Sequence, residues 1–219
     1  MKVAICSESF LPQTNGVVHS VLRVLDHLAA RGDDVVVLAP DAPGAPAEIA
    51  GARVVTMPAW SFPGYRDVRV ATGRVSPVAE ALHGFAPDVL HLASPFSLGW
   101  RATLAAQALD VPTVAVFQTD VPAYAARYGV RGAENLLWKR VRDIHSRATV
   151  TLAPSTATMD ELADRGVERV RLWRRGVDLD RFSPARRDLA WRASLAPNGE
   201  RLVGYVDRLA PEKQVDDLA

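Results

Sequence analysis

The sequence predicts an α/β fold, a parallel sheet covered by helices on both faces. Apolar segments of four to six residues alternate along the chain with segments whose apolar residues recur at helical spacing, a pattern typical of βαβ units. The predicted strand 35–39 is apolar without alternation, as a strand buried on both faces requires. Because crossovers between parallel strands are right-handed, the helices are expected on both sides of the sheet.

The individual elements follow from local apolar patterns. Residues 2–6 form the first predicted strand, and a helix is predicted over 17–28, closed by Gly32. The other predicted strands are 35–39, 53–57, 88–92, 113–117, 149–153 and 170–173. The other predicted helices are 75–85, 98–109, 124–148 with a break near 129–132, and 156–165. Residues 58–69, punctuated by proline and glycine, are predicted to be an ordered loop.

The pattern of the last part of the sequence predicts the start of a second domain. We expect a first domain over 1–175, a linker over 176–200 with a short helix at 187–195, and the start of a second Rossmann-like domain over 201–219. The apolar run 201–206 predicts a strand buried on both faces, and a helix is expected to begin at Glu212. One strand and part of a helix cannot cover each other, so the second domain is expected to be cut off at Ala219.

Composition excludes several classes of protein. The chain has 219 residues, of which 48% are hydrophobic and 23% charged, which excludes disorder and is enough for a sizeable core. The net charge of +1 predicts no nucleic-acid partner, and a single cysteine, Cys6, excludes a disulfide framework or thiolate metal cluster. The apolar run at 3–6 is too short for a secretory signal, so a cytoplasmic location is expected.

Ligands of parallel sheets bind at the carboxyl ends of the strands, and the loop 8–17 follows the first one. It leads into a helix N-terminus, where unpaired N–H groups and the helix dipole favour a phosphate. Gly16 would let a diphosphate approach the backbone closely. Alternatively, this is an ordinary turn capped by Asn15. The sequence has neither a G-x-G-x-x-G fingerprint nor a Walker lysine.

Polar residues also follow the predicted strand 113–117. Asp120 could accept hydrogen bonds from sugar hydroxyls, and Gln118 could donate or accept them. Alternatively, Asp120 caps the next helix, with Pro122 in its first turn.

Two cations, Arg208 and Lys213, flank the loop after the strand 201–206. Together they could neutralise a diphosphate leaving group, or they could be solvated surface residues. The five histidines lack metal-ligand spacing, and only His91 is expected near the ligand edge. It could also be a hydrogen-bonded structural histidine.

Two segments could contact a lipid surface. Residues 165–192 contain nine arginines against four acidic residues, which suits anionic headgroups. Arginine outnumbers lysine 23 to 3 across the chain, so a solvated face amplified by coding bias is the favoured explanation. Trp60, Phe62 and Tyr65 could form an apolar surface loop or a small satellite core cluster.

Six segments in this order resemble the family 4 retaining glycosyltransferases of the two-Rossmann (GT-B) type. They are FLPQTNGVVHSV, PDVLHLASPFSLG, VFQTDVPAYAARYG, APSTATMDEL, RRGVDLDRFSP and GYVDRLAPEKQ. Within the family, the chain is most similar to actinobacterial GDP-mannose-dependent α-mannosyltransferases that act on lipid acceptors. The resemblance covers the whole chain and implies an acceptor-side domain followed by the first donor-side loop. The nucleotide-base pocket and the acidic E-x-x-E motif of the family have no counterpart in these residues.

The resemblance also implies roles for single residues. Gly16, Arg208 and Lys213 would bind the donor diphosphate, and Gln118, where many relatives have a histidine, would lie near the transferred sugar with Asp120. Asn15 and His91 are acceptor-side candidates. Asp207 stands where the family usually has glycine, and an anion there disfavours a diphosphate.

The resemblance therefore implies transfer of mannose from GDP-mannose to a lipid or glycolipid acceptor, with retention and without a metal or other cofactor. Contact with the inner face of the plasma membrane would follow from a lipid acceptor. Two alternatives remain open: a non-catalytic acceptor- or lipid-binding fragment, and a transferase that uses a UDP-sugar. The 219 residues alone are expected to be inactive, because most of the donor domain is missing.

Overall fold

The computed structural model describes residues 1–62, 65–123, 132, 134–174, 176–206 and 215. It divides into two compact units, Met1–Arg174 and Arg175–Ala219. No helix among the described residues is both long enough and apolar enough to cross a membrane.

The first unit is built on one eight-stranded sheet. Its strands are β1 (Lys2–Ser7), β2 (Asp34–Pro40), β3 (Glu48–Ile49), β4 (Ala52–Met57), β7 (Val89–Ala93), β8 (Thr113–Val116), β9 (Val150–Ala153) and β10 (Val170–Leu172). The strand order is β10-β9-β8-β7-β1-β2-β4-β3, and only β3 runs antiparallel to its neighbour. The predicted parallel α/β sheet is confirmed.

Five helices of this unit are described. They are α1 (Gly16–Ala30), α2 (Ser76–Phe85), α3 (Leu98–Ala108), α4 (Glu134–Arg147) and α5 (Thr156–Asp164). The predicted helix over 124–148 is confirmed for the range of α4, whereas residues 124–131 and 133 lie outside the described part of the chain.

The core has two layers, one on each side of the sheet. Leu38, Leu90 and Leu92 on one face pack with residues of α2 and α3, such as Leu82 and Leu98. The opposite face packs against α1 in a second cluster that includes Ile5, Val21, Leu25, Val35 and Val37. Helices thus cover both faces, as the apolar strands predict.

The prediction of a loop over 58–69 is wrong. Strands β5 (Ala59–Phe62) and β6 (Tyr65–Ala71) form a separate antiparallel pair in which Trp60 lies opposite Val70. Arg69 stabilises the pair, because its guanidinium donates to Ser61 Oγ at 3.0 Å and to the Ala59 carbonyl at 3.2 Å. Such cross-strand bonds are invisible to an analysis of periodicity. Trp60 is 51% exposed, which argues against a satellite core cluster at that residue.

The second unit contains a short 3-10 helix (Pro184–Arg186) and one α-helix, α6 (Leu189–Leu195). The strand predicted over 201–206 is wrong: these residues belong to no regular element, and Val203 and Val206 are 84% and 100% exposed. A strand needs a neighbouring strand for its backbone hydrogen bonds, and no strand pairing among the described residues includes this segment. The helix expected from Glu212 lies outside the described residues.

Candidate functional site

The loops that follow β1, β7 and β8 lie at one edge of the sheet, because these three strands are parallel neighbours. This carboxyl edge brings together the predicted candidates Gly16, Gln118 and Asp120. Parallel sheets bind ligands at this edge, so its polar groups define the candidate site.

The loop after β1 is ordered by side-chain hydrogen bonds. Ser9 Oγ donates to Gln13 Oε1 at 2.7 Å and accepts from Asn15 Nδ2 at 2.8 Å. Asn15 Oδ1 accepts from the backbone N–H groups of Val17 and Val18, both at 3.0 Å. The interpretation of Asn15 as a helix cap is therefore confirmed.

Gly16 is the exposed first residue of α1. The first turn of α1 contains no acidic side chain, so the positive end of the helix dipole is not neutralised from within the helix. An anion is electrostatically favoured there.

The sequence analysis missed Glu8. Its Oε1 accepts from the backbone N–H groups of Phe96 at 2.7 Å and Gly99 at 2.8 Å, so the β1–α1 loop is tied to the start of α3. Burial raises the pKa of the Glu8 carboxyl, while hydrogen bonds from the start of α3 act in the opposite direction. No local pattern reveals this role, because the partners lie about 90 positions away.

Gly99 makes this junction possible. A Cβ at Gly99 would collide with the side chain of Pro95 and would lie 3.6 Å from Glu8 Oε1. The loop that holds Phe96 is fixed on its other side, since Ser97 Oγ donates to the Ala71 carbonyl at 2.9 Å. The loop between β7 and α3 is thus held in place from two directions.

His91 lies in the middle of β7 rather than at its end, with Ile5 and Val114 beside it on the adjacent strands. Burial lowers its pKa to about 4, so the imidazole is neutral at pH 7. It makes no hydrogen bond to another described residue, unlike the buried His145, whose Nδ1 lies 3.1 Å from Thr151 Oγ1.

Asp120 caps the helical residues 121–123. Its Oδ1 accepts from the backbone N–H of Ala123 at 2.9 Å, which confirms the capping interpretation. Gln118, two residues earlier, is half-buried. The strand end before them is anchored by Phe117, which stacks on Trp138 with ring centroids 6.1 Å apart.

A second acidic side chain near this edge was also missed by the sequence analysis. Burial and the Asp120 charge raise the pKa of Glu161 on α5, whereas Arg165 acts in the opposite direction. The Glu161 carboxyl therefore lies within reach of the Asp120 charge beside the end of β8. Glu161 belongs to the segment APSTATMDEL, which gave no signal for such a pairing.

The predicted donor-side residues Asp207, Arg208 and Lys213 lie outside the described residues. No group of three or more histidine, cysteine, aspartate or glutamate side chains within the described ranges is placed to hold a metal ion. The absence of a metal from the reaction stays a prediction.

Comparison with known proteins gives a consistent result. The sequence profile of Glycosyltransferase Family 4 matches residues 14–181. A Mycolicibacterium smegmatis protein named GDP-mannose-dependent alpha-mannosyltransferase is 48% identical over the whole chain, which covers 59% of that relative. A Mycobacterium tuberculosis protein of the same name is 46% identical, again over the whole chain, and 58% of it is covered. The chain thus spans little more than half the length of these curated relatives.

Among solved structures, a sucrose-phosphate synthase from Thermosynechococcus elongatus is similar in fold. The TM-score is 0.53 at 14% identity, and the match covers 83% of this chain and 92% of that one. This likeness supports the α/β Rossmann-like fold and carries no argument about substrates.

Proposed function

The chain belongs to Glycosyltransferase Family 4, and from this premise we propose that the whole protein transfers mannose from GDP-mannose to an acceptor hydroxyl. The observation that carries the proposal is identity of 43–48% along the full chain to three proteins named GDP-mannose-dependent alpha-mannosyltransferase.

In the proposed reaction the bond between the mannose anomeric carbon and the diphosphate oxygen breaks, and the diphosphate leaves with the electron pair. The acceptor oxygen forms the new bond and its proton passes to the released diphosphate, with retention of the anomeric configuration. The main task of the protein is then to stabilise the departing negative charge and orient the acceptor. We assign the charge stabilisation to Arg208, Lys213 and the N-terminus of α1 at Gly16, and no metal is required in this scheme.

We place Gln118 and Asp120 beside the transferred sugar and His91 and Asn15 on the acceptor side. The position of Asp120 after β8 and the unneutralised N-terminus of α1 support this assignment. Since Asp120 and Asn15 are both engaged as caps, we expect them to act mainly by holding their loops in place. We further propose a lipid or glycolipid acceptor, and hence work at the inner face of the plasma membrane.

The test is a donor assay on the whole protein with a lipid extract from its own cells. We expect labelled mannose to move from GDP-mannose into the lipid fraction. Arg208→Ala and Lys213→Ala should each lower kcat/KM by roughly 10²–10³-fold, by analogy with the loss of one oxyanion donor. Arg187→Ala, an exposed arginine of the second unit, is the matched control.

The outcomes separate the parts of the proposal. Transfer from a UDP-sugar alone would overturn the assignment of the donor and keep the enzyme class. If no nucleotide sugar reacts, the proposal of a transferase is wrong and the alternative of a binding protein replaces it. Proton NMR of the first product would show whether the anomeric configuration is retained.

A further inference from the structure

Ser94 directly follows the last residue of β7, in the middle of the candidate site. That last residue, Ala93, pairs with Ser7 of β1 on one side and with Val116 of β8 on the other. Ser94 therefore lies between the β1–α1 loop and the loop that follows β8, and both of these loops carry candidate site residues.

The backbone of Ser94 is strained. Its φ is 53°, in the left-handed region that residues with a Cβ rarely adopt. Ser94 also precedes Pro95, and a residue before proline favours extended backbone. Glycine would adopt this φ without the steric cost, so the turn by itself does not require a serine.

The location of this strained residue sets it apart from similar ones. Among the described residues, four others that are not glycine have a positive φ: Ala50, Ala86, Asp110 and Arg169. Ala50 lies in the turn between β3 and β4, and the other three precede β7, β8 and β10 at the amino edge of the sheet. Of these five, Ser94 alone lies at the carboxyl edge, where parallel sheets bind ligands. Strained backbone is concentrated at functional sites.

Three hydrogen bonds hold the backbone around Ser94 in place. Its own N–H donates to the Val116 carbonyl at 3.2 Å. The Phe96 N–H donates to Glu8 Oε1 at 2.7 Å, and Ser97 Oγ donates to the last carbonyl of β6 at 2.9 Å. A strained conformation persists only where the surrounding structure determines it in this way.

The Ser94 hydroxyl is accessible to a ligand. Ser94 Oγ forms no hydrogen bond within the described ranges of the chain. The residue is half-buried, but no buried side-chain nitrogen or oxygen of the described residues lacks a partner, so the unpaired Ser94 Oγ must reach solvent. The serine at the end of β1 differs, because Ser7 Oγ donates to the Ser9 carbonyl at 2.6 Å.

The surroundings of this hydroxyl favour a neutral ligand over an anion. The N–H groups of Phe96 and Gly99 at the start of α3 both donate to Glu8, so they are not available to bind a phosphate. A serine hydroxyl both donates and accepts hydrogen bonds, and a sugar hydroxyl does the same. A sugar hydroxyl is therefore the ligand that matches Ser94.

We propose that Ser94 binds a sugar hydroxyl of a substrate, and that the strained backbone fixes the position of its Oγ at the carboxyl edge. The proposal rests on the proposed function for the presence of sugar substrates, and it adds a binding residue to that site. The hydroxyl belongs either to the transferred mannose or to a glycosylated acceptor, and the test distinguishes these two sources.

The test compares Ser94→Gly and Ser94→Ala in the whole protein. Both variants lack the hydroxyl, and only Ser94→Gly also relieves the strain. We expect Ser94→Gly to unfold at the same temperature as the unaltered protein or at a higher one. In both variants the KM of one substrate should rise about three- to tenfold, as for the loss of one hydrogen bond between uncharged groups. A rise for GDP-mannose assigns the hydroxyl to mannose, and a rise for the lipid extract assigns it to the acceptor.

Ala86→Gly is the matched control. Ala86 has a φ of 52°, precedes Pro87 as Ser94 precedes Pro95, and lies before the opposite end of β7. This variant should be no less stable than the unaltered protein and should leave both KM values unchanged. The proposal is overturned if Ser94→Gly and Ser94→Ala both keep the two KM values within about twofold of the unaltered protein. A lower unfolding temperature for Ser94→Gly would also overturn it, because the fold itself would then require the serine.

A second measurement needs no sugar transfer. Saturation-transfer NMR follows the binding of methyl α-mannopyranoside to the whole protein and to the glycine variants. If the unaltered protein transfers no mannose, the proposed function is wrong, and this measurement decides the role of Ser94. Weaker saturation transfer with Ser94→Gly than with Ala86→Gly would support the proposal, and equal transfer, or none with either, would overturn it.

Discussion

Glu8 Oε1 lies 2.8 Å from the backbone nitrogen of Gly99, 91 positions further along the chain. A carboxylate of the β1–α1 loop thus caps the first turn of α3. Negative charge at a helix N-terminus is favourable, and the same oxygen also accepts from Phe96 at 2.7 Å. This contact joins two loops of the candidate site.

Removal of the Glu8 acceptor should destabilise the protein. Glu8→Ala leaves two backbone N–H groups without a partner in a half-buried position, and we expect a loss of about 2–3 kcal/mol in the free energy of unfolding. Glu8→Gln keeps an acceptor oxygen and should lose less than half of that. Urea denaturation at pH 7 measures both. Equal losses for the two variants would show that the hydrogen bonds to α3 are not what Glu8 contributes.

Gly99→Ala should also be destabilising, although alanine is normally the better helix residue. The added Cβ would collide with Pro95, and we expect a loss of about 1–3 kcal/mol. Gly84→Ala is the matched control, because no atom lies within 4 Å of a Cβ at that helical glycine; it should gain about 0.5–1 kcal/mol. Thermal unfolding of both variants is the measurement, and a stabilised Gly99→Ala would contradict the packing argument.

Stability should fall as the pH drops from about 6.5 towards 4. Burial lowers the pKa of His145 from 6.5 to about 4, so the unfolded chain binds the proton more tightly than the folded chain does. The free energy of unfolding should therefore fall by about 3 kcal/mol across that interval because of the buried His145. His145→Gln should remove this part of the pH dependence and leave that of His91. The measurement is the free energy of unfolding of both proteins at pH 7 and pH 4. If His145→Gln shows the same pH dependence as the unaltered chain, His145 is not its source.

Glu8 should change the stability in the opposite direction as the pH falls. Because burial raises its pKa above 4.5, the folded chain binds this proton more tightly, and stability is lost as the pH rises above 4.5 through the raised value. Glu8→Gln should flatten the pH profile just above 4.5. The effects of Glu8 and the two histidines can therefore be separated by substitution.

Asn15→Asp distinguishes a structural cap from a phosphate site. Aspartate keeps the cap of α1, so the free energy of unfolding should change by less than about 0.5 kcal/mol. Its charge would repel a diphosphate at the same helix end, and in the whole protein the KM for the donor should rise about tenfold. Ser155→Asp, at the N-cap of α5, is the control with the same charge change. A similar KM for both variants would remove α1 from the donor site.

The helices and the strands of the main sheet were largely predictable because each depends on local information. Short apolar runs specify the buried strands, and helical spacing with a cap specifies α1 and α5. The β5–β6 pair was not predictable, because it depends on cross-strand bonds of Arg69. The segment 201–206 shows the reverse case: its sequence favours a strand, but it belongs to no strand pair among the described residues.

The residues of the candidate site likewise include some that the sequence predicts and some that it does not. The positions of Gln118 and Asp120 at the carboxyl edge were predictable because they directly follow an apolar strand, and the cap at Asn15 because it precedes a helical pattern. Glu8 and Glu161 were not, since each depends on residues that are distant in sequence.

By itself, the sequence determined the α/β class, the family and the edge of the sheet at which the polar residues lie. Local apolar patterns and the order of the motifs are sufficient to predict these features. The tertiary structure alone decided that Glu8 caps α3, that Arg69 bonds across the β5–β6 pair, and that His145 is buried beside Thr151. The physical reason is that hydrogen bonding, desolvation and charge clustering depend on distances in space, which the folded chain sets between residues far apart in sequence.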